Sequence, residues 1–510
     1  MVRWRKDDPT LAFFFSILTD EDDYRRVAVE KVVSRLRRGW LGEAGEMEKR
    51  LFDLHLPTVV RMAYEAPYED IREGFGALVE EVRSTGRALP QPSQASDYAP
   101  GIRTIDAQGK ILELYQDAFL HCGRVSSVVR MMAYQPAYLE AYLTTYREIL
   151  RGQGSLSSSW RCFIAIMASA RLKIHYLVRV LQTEFLMSGG EEAWLVDPNA
   201  VPQKLRELCK VNAILARQPW RLRTEDLEVL VRQNSRLKWA VGEMGTALMV
   251  MTHFHSLAGF VGGCGLLVDE DMGMPWRQPG NEIFPLDDDN SASQSTDDLF
   301  RALQSGIHEN EDRDLIRSSV DRQESHSGRV GTTTDISEEC DRYANITGLP
   351  YPYEDFDVHS RDYKLLRAHE FSWSREGYSL VSLFSKDLAR VLDDQFELIQ
   401  CLTDGCIGNT AGVDTSPFRE AIWKYAQRLN GIEHDDYNYA RINKLLQRPL
   451  KVLVKKVVCN PETISQGDFE RMGLQLRTEE RVHIILLAME SRKQCALLYG
   501  LNALARLMTR

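Results

Sequence analysis

SSSWRCFIAIMASARLKIHYLVRVLQTEFL, residues 157–186, decides the fold class. Three serines at its head form a helix-start signal, and Gly189-Gly190 follows as a stop. Between them Ile166, Ala170, Ile174, Leu177, Leu181 and Phe185 recur three or four residues apart. That spacing puts them on one buried stripe and predicts a single long helix. Outward from it the pattern repeats. YRRVAVEKVVSRLRRGWL (24–41) is amphipathic with the same period, and Val482, Ile485, Met489 and Ala496 share one face of the last helix. Strand-type alternation is rare, so the chain reads as all-α.

The 510 residues divide by composition. Residues 1–100 read as a helical N-terminal extension, closed by the Pro-containing LPQPSQASDYAPG (89–101). Residues 101–268 read as a helical domain. Residues 269–348 change character: WRQPGNEIFPLDDDNSASQSTDD (276–298) and QESHSGRVGTTTD (323–335) are polar and poor in apolar residues. Such a stretch buries too little surface to offset its ordering entropy and reads as a long acidic, disordered linker. Residues 349–510 read as a second helical domain.

No apolar run approaches the roughly 20 residues that span a bilayer. MVRWRKDDPTLAFFFSIL (1–18) has the outline of a signal peptide, but Asp7 and Asp8 interrupt it and no small-residue cleavage site follows. The chain reads as soluble and intracellular. Nine cysteines without a CxxC pair give neither a zinc site nor a disulfide framework. A net charge of −10 argues against nucleic acid as a partner. The sequon Asn345-Ile346-Thr347 is idle in such a protein.

Chemistry concentrates near the end, in GVDTSPFREAIWKYAQ (412–427), GIEHDDYNYARINKLLQRPLKVLVKKVV (431–458) and EERVHIILLAMESRKQCALLYGL (479–501). A buried site for a free amino acid needs a cation for its carboxylate, an anion for its ammonium and an apolar cup. Arg419 and Glu480 are suited to the two ends, the arginine through its planar fork. The competing reading pairs them with each other or with helix ends. Asp435 and Asp436, flanked by Tyr437 and Tyr439, suit an exposed docking loop. The competing reading makes Asp436 a helix N-cap. His253 and His255 are two apart, a poor metal spacing. Gly262, Gly263 and Gly265 suit close helix packing or a turn.

These three C-terminal motifs, with the 157–186 segment and THFHSLAGFVGGCGLL (252–267), resemble the sestrin family. The resemblance covers about 110–267 and 350–510. It implies two alkylhydroperoxidase-like helical domains. It places the family's redox cysteine at Ile174 and its partner histidine at Leu181, two turns apart on one helix face. Neither residue ionises, so both positions read as vestigial, and Cys162 reads as a core thiol. No catalytic residue, metal or cofactor is expected. The resemblance also implies an amino-acid pocket in which Arg419 takes the carboxylate and Glu480 the ammonium. Thr415 matches a closing loop, and Thr403 a wall. The cup departs from the family: Gly473 stands at a tryptophan floor, Leu476 at an aromatic position, Phe418 at a leucine, Cys406 at a threonine and Asp404 at a tyrosine.

In sestrins the Asp435–Asp436 pair belongs to the surface that docks on the GATOR complex, upstream of the Rag GTPases. The implied function is a cytoplasmic and nuclear stress and nutrient signalling protein that restrains TOR complex 1 as a leucine or amino-acid sensor. The rival is a thiol-dependent peroxidase or peroxiredoxin-regenerating oxidoreductase, which Ile174 disfavours.

Overall fold

The computed structural model describes residues 12–43, 45–91, 94–232, 237–269, 271–272, 333–344, 346, 365–403, 406–408, 410–471 and 476–509, with the backbone alone at 12, 13, 47, 333–338 and 406. Most of the expected linker, the chain start, Asp404 and Gly473 lie outside the described residues.

The described chain is all-α. Its principal helices are α1 (Asp22–Trp40), α2 (Glu46–Glu65), α3 (Glu69–Ser84), α4 (Lys110–Cys122), α5 (Pro136–Arg151), α6 (Ser158–Arg171), α7 (His175–Met187), α8 (Val241–Gly263), α9 (Thr333–Ala344), α10 (Lys386–Cys401), α11 (Ser416–Leu429), α12 (Tyr439–Leu445), α13 (Arg448–Cys459) and α14 (Thr478–Thr509). Strands among the described residues are limited to two-residue pairs: β1 (Leu366–Arg367) parallel to β4 (Ile432–Glu433), and β2 (Cys406–Ile407) antiparallel to β3 (Thr410–Ala411).

The expected single helix over 160–185 is two helices. Ser157 caps α6, its hydroxyl accepting from Trp160 N. The helix ends at Arg171, because Lys173 adopts a left-handed φ of 56°. Ser169 O accepts from both Leu172 N and Ile174 N, which closes the end of α6. Ile174 then precedes α7, its carbonyl accepting from Leu177 N at 3.1 Å. The turn is made by a lysine, at a steric cost that a glycine would not carry, and no glycine or proline marks the break in the sequence. The apolar stripe survives the corner because both helices bury it: Ile166, Ala170, Ile174, Leu177, Leu181 and Phe185 are all in the core.

The two helical halves share one core. Helix α8 is apolar and buried almost all round, and it packs on α6, α13 and α14. Close approach is made at glycines, as the sequence reading anticipates for Gly263. A Cβ at Gly259 would lie 2.5 Å from Val457 O, and one at Gly263 2.8 Å from Ile485 Cγ2. Gly265 makes the turn after the helix at φ 57°.

Buried polar groups cross the same seam. Arg492 donates to His255 O at 2.6 Å and to Ala216 O. Tyr138 of α5 donates to Glu490 Oε1 at 2.6 Å, Gln395 of α10 donates to Tyr138 Oη at 2.9 Å, and Lys493 reaches Glu490 Oε1 at 2.6 Å.

The N-terminal extension is docked by a second buried charge cluster. Arg61 of α2 meets Asp271 Oδ2 at 2.7 Å, Arg124 meets Asp271 and Asp269 at 3.2 Å, and Arg130 meets Glu65 at 3.4 Å. Both aspartates belong to the stretch read as linker. Its far end is also folded: α9 packs on α6 and α7, with Glu339 at 2.8 Å from His175 Nε2 and 3.0 Å from Arg179 Nη2.

Candidate functional site

The vestigial redox positions are apolar contacts. Ile174 is 6% exposed and Leu181 fully buried. Two nearby thiols are held toward their protonated form: burial pushes Cys122 and Cys162 up to about 12, with the Glu184 carboxylate adding to it. A thiol held protonated is a poor nucleophile. His175, next in sequence to Ile174, is committed to Glu339. His255 Nε2 lies 2.8 Å from Asn212 Oδ1, and the His253 ring stacks on Tyr142. Burial drives both histidines well below the usual imidazole value. Among the described residues no group of three or more His, Cys, Asp or Glu side chains is placed to hold a metal ion.

The two charged ends of the expected amino-acid pocket are held separately. Arg419, in the first turn of α11, donates to Thr415 Oγ1 and, at 3.2 Å, to Ser416 Oγ. Its Nε is buried without a hydrogen-bond partner. Glu480 sits in the first turn of α14, where a carboxylate complements the exposed amides and the helix dipole. It accepts from Arg477 N at 2.8 Å and from Gly408 N at 2.9 and 3.1 Å, and Arg477 Nη2 lies 3.6 Å away. The helix-end alternative therefore describes Glu480 as it stands. Among the described residues Arg419 and Glu480 form no ion pair with each other.

The remaining pocket candidates vary. Thr415 is brought to Arg419. Leu476 is buried, Phe418 half-buried and Thr403 exposed. Cys406 contributes its backbone to β2, two residues before the glycine that binds Glu480. Arg419 also opens onto a cleft of about 460 Å³, lined by Trp373, Trp423, Lys424, His434 and Gln494 among others.

The acid pair lies on the loop between β4 and α12. Asp436 accepts from Lys424 Nζ at 2.5 Å, and Asp435 pairs with His369 Nδ1. Their side chains nevertheless stay 70% and 58% exposed. The Lys424 hydrogen bond holds the Asp436 carboxyl below the usual carboxylate range. The N-cap alternative for Asp436 is corrected: Asn438 caps α12, its side chain accepting from Arg441 N at 3.0 Å. Asp436 is therefore free of that structural duty. Tyr437 and Tyr439 stand with ring centroids 6.2 Å apart, and Lys451 lies over Tyr439 at 4.8 Å.

Sequence reading missed His369, Lys424 and His434 as partners of the acid pair. Only the Glu420–Lys424 spacing of four residues, an ion pair at 2.9 Å, was visible in advance. The contacts to Asp435 and Asp436 are set by how β1, β4 and α11 meet.

An all-helical chain with two halves on one core, an apolar corner at Ile174 and Leu181 and an exposed acidic loop defines a class of helical protein. A family profile described as "PA26 p53-induced protein (sestrin)" matches residues 100–302 and 287–508. The chain is similar to a sestrin homolog of Dictyostelium discoideum, 32% identical over 99% of this chain and 90% of that protein. It is 35% identical to Sestrin-2 of Mus musculus over 77% of this chain and 86% of that one. It is 34% identical to Sestrin-2 of Homo sapiens over 84% of this chain and 94% of that one. The chain belongs to the sestrin family. No helix among the described residues is long and apolar enough to cross a membrane.

Proposed function

We propose that this protein is a stress and nutrient signalling adaptor that restrains TOR complex 1 by docking on the GATOR complex, upstream of the Rag GTPases. The observation that carries the reading is the exposed Asp435–Asp436 pair, held in place by His369 and Lys424 and relieved of helix capping by Asn438. Changing both aspartates to alanine is expected to abolish co-precipitation of GATOR components from cytoplasmic extract. The melting temperature should move little, because exposed ion pairs contribute only about 0–1 kcal/mol. Full retention of binding by the double variant refutes the docking role.

The same reading makes the protein a sensor of leucine or another apolar amino acid, held between Arg419 and Glu480 with Thr403, Thr415, Phe418, Cys406 and Leu476 around it. An ammonium would have to draw Glu480 away from Gly408 N and Arg477 N. Ligand binding is then expected to loosen the 406–411 hairpin, which hydrogen exchange with and without leucine would detect. Titration calorimetry of leucine into Glu480→Gln should show no heat. Binding unaffected by that substitution removes Glu480 from the site.

Catalysis by the thiol-dependent route is not part of this reading. Ile174→Cys alone is expected to leave alkyl hydroperoxide turnover at background. A thiol at this corner would share the apolar surroundings that raise its neighbours, with Leu181 in place of a base. Turnover by wild-type protein that is lost in Cys162→Ser would reinstate the oxidoreductase.

A further inference from the structure

The cleft beside Arg419 is a different space from the one between Arg419 and Glu480, since Glu480 does not line it. It lies between α11, α14, the β1–β4 pair and the turn 372–374. Its volume of about 460 Å³ is of the size that encloses small organic ligands. Its apolar lining comes from Ile432, Leu487 and Leu498, with the indoles of Trp373 and Trp423. The Trp373 N–H is already committed to Asp393 Oδ1 at 2.9 Å, so this indole offers the cleft ring surface and no further donor.

The charges of the cleft do not balance evenly. Lys424 is neutralised twice, by Glu420 at 2.9 Å and Asp436 at 2.5 Å. Glu420 is further engaged by Arg441 at 3.7 Å. Burial, and then Lys424, lower the His434 imidazole, which favours its neutral form. Arg419 differs. Among the described residues its hydrogen-bond partners are the hydroxyls of Thr415 and Ser416, its Nε is buried without one, and the carboxylate that feels its charge, Asp414, is exposed. A guanidinium whose hydrogen bonds go to neutral hydroxyls, with its neighbouring carboxylate out in solvent, can still take an anion within the cleft.

We propose that this cleft binds a small carboxylate carried on a flat apolar body, with Arg419 as its counter-ion and Trp373 and Trp423 as its walls. The ligand needs no ammonium, because the one acid lining the cleft, Glu420, is already paired. The proposal goes beyond the amino-acid site and shares only Arg419 with it, so the two ligands are mutually exclusive.

The test uses the purified full chain and three probes: indole-3-acetate, indole-3-acetamide and L-tryptophan, titrated by calorimetry. Indole-3-acetate is expected to bind, and the uncharged amide at least about tenfold more weakly, the scale of a lost charge-assisted hydrogen bond. Arg419→Gln should weaken the acetate by a similar factor at unchanged melting temperature, and Arg419→Lys should restore part of it. Glu480→Gln should leave indole-3-acetate binding intact while removing leucine binding, so failure of either site is read separately. Equal binding of acid and amide, or indifference to Arg419→Gln, overturns the proposal. So does tighter binding of tryptophan than of the acetate, which would reveal an ammonium site, and so does an absence of binding by indole-3-acetate.

Discussion

Lys493→Met is expected to destabilise the protein by about 3–5 kcal/mol, the cost of leaving a buried charge without its partner. Lys493 is 2% exposed, and Glu490, 2.6 Å away, is fully buried. Burial lowers the Lys493 ammonium, and the Glu490 carboxylate opposes that. Removing the lysine leaves Glu490 with Tyr138 Oη and Gln395 Nε2, two neutral donors at 2.6 and 3.3 Å. The double variant Lys493→Met/Glu490→Gln should recover most of the loss, because neutral replacement of a whole buried pair is often tolerated. Urea unfolding at pH 7.5 of the two single variants and the double variant measures this. A loss under about 1 kcal/mol for Lys493→Met would show that water reaches the pair.

The second large effect is expected at the N-terminal extension. Asp271→Asn removes the carboxylate that Arg61 and Arg124 share, leaving among the described residues Asp269 in contact with Arg124, and should cost about 3–5 kcal/mol. Residues 22–84 should lose hydrogen-exchange protection first, because their charged anchor is the group removed.

The pH dependence has a defined sign. Burial pushes the Asp271 carboxyl up, but Arg124 and Arg61 outweigh it and hold it below its usual 3.8. Its contribution is therefore present above about pH 4 and lost as pH falls below that. Glu65 behaves oppositely. Burial raises it to about 7 from 4.5, against the pull of Arg130. Its protonated form favours the folded state, so that contribution is complete below about pH 4.5 and lost as pH rises through 7. Docking of the extension should be firmest between these limits. Glu65→Gln should abolish the alkaline loss and leave the acid loss intact. Protection that stays flat from pH 5 to pH 8.5 in wild type would contradict the burial of Glu65.

Most of the fold was legible because it rests on period. The stripes of α1, α6, α7 and α14 repeat every three to four residues and are buried as that spacing requires. The corner at Lys173 was not legible. The chain turns there without a glycine or proline, and the stripe continues across it. The anchoring of Asp269, Asp271 and Glu339 was also hidden, since polar composition signals exposure unless partners some 150–210 residues away neutralise it.

At the candidate site, residue types were readable and their engagements were not. Arg419 and Glu480 were readable as a cation and an anion suited to the two ends of an amino acid, but the engagement of Glu480 by Gly408 depends on how the hairpin meets α14. Asp436 looked like a cap because it precedes α12. Asn438, two residues on, takes that role with better placement.

The separation of α14 from α8 along the chain sets the order in which the shared core can close during synthesis. Helix α8 is apolar on nearly every face, and one of those faces waits for a helix that is synthesised more than 200 residues later. At the usual pace of about 5–20 residues per second, the nascent first half displays that surface for tens of seconds. Arg492 and Lys493, which cross the seam, are synthesised more than 200 residues after the surface of α8 that they complete. A ribosome stalled short of residue 478 therefore releases a first half with its longest apolar helix uncovered. Such truncated chains are expected to depend on a chaperone and to be degraded quickly, because one late helix covers the surface they expose.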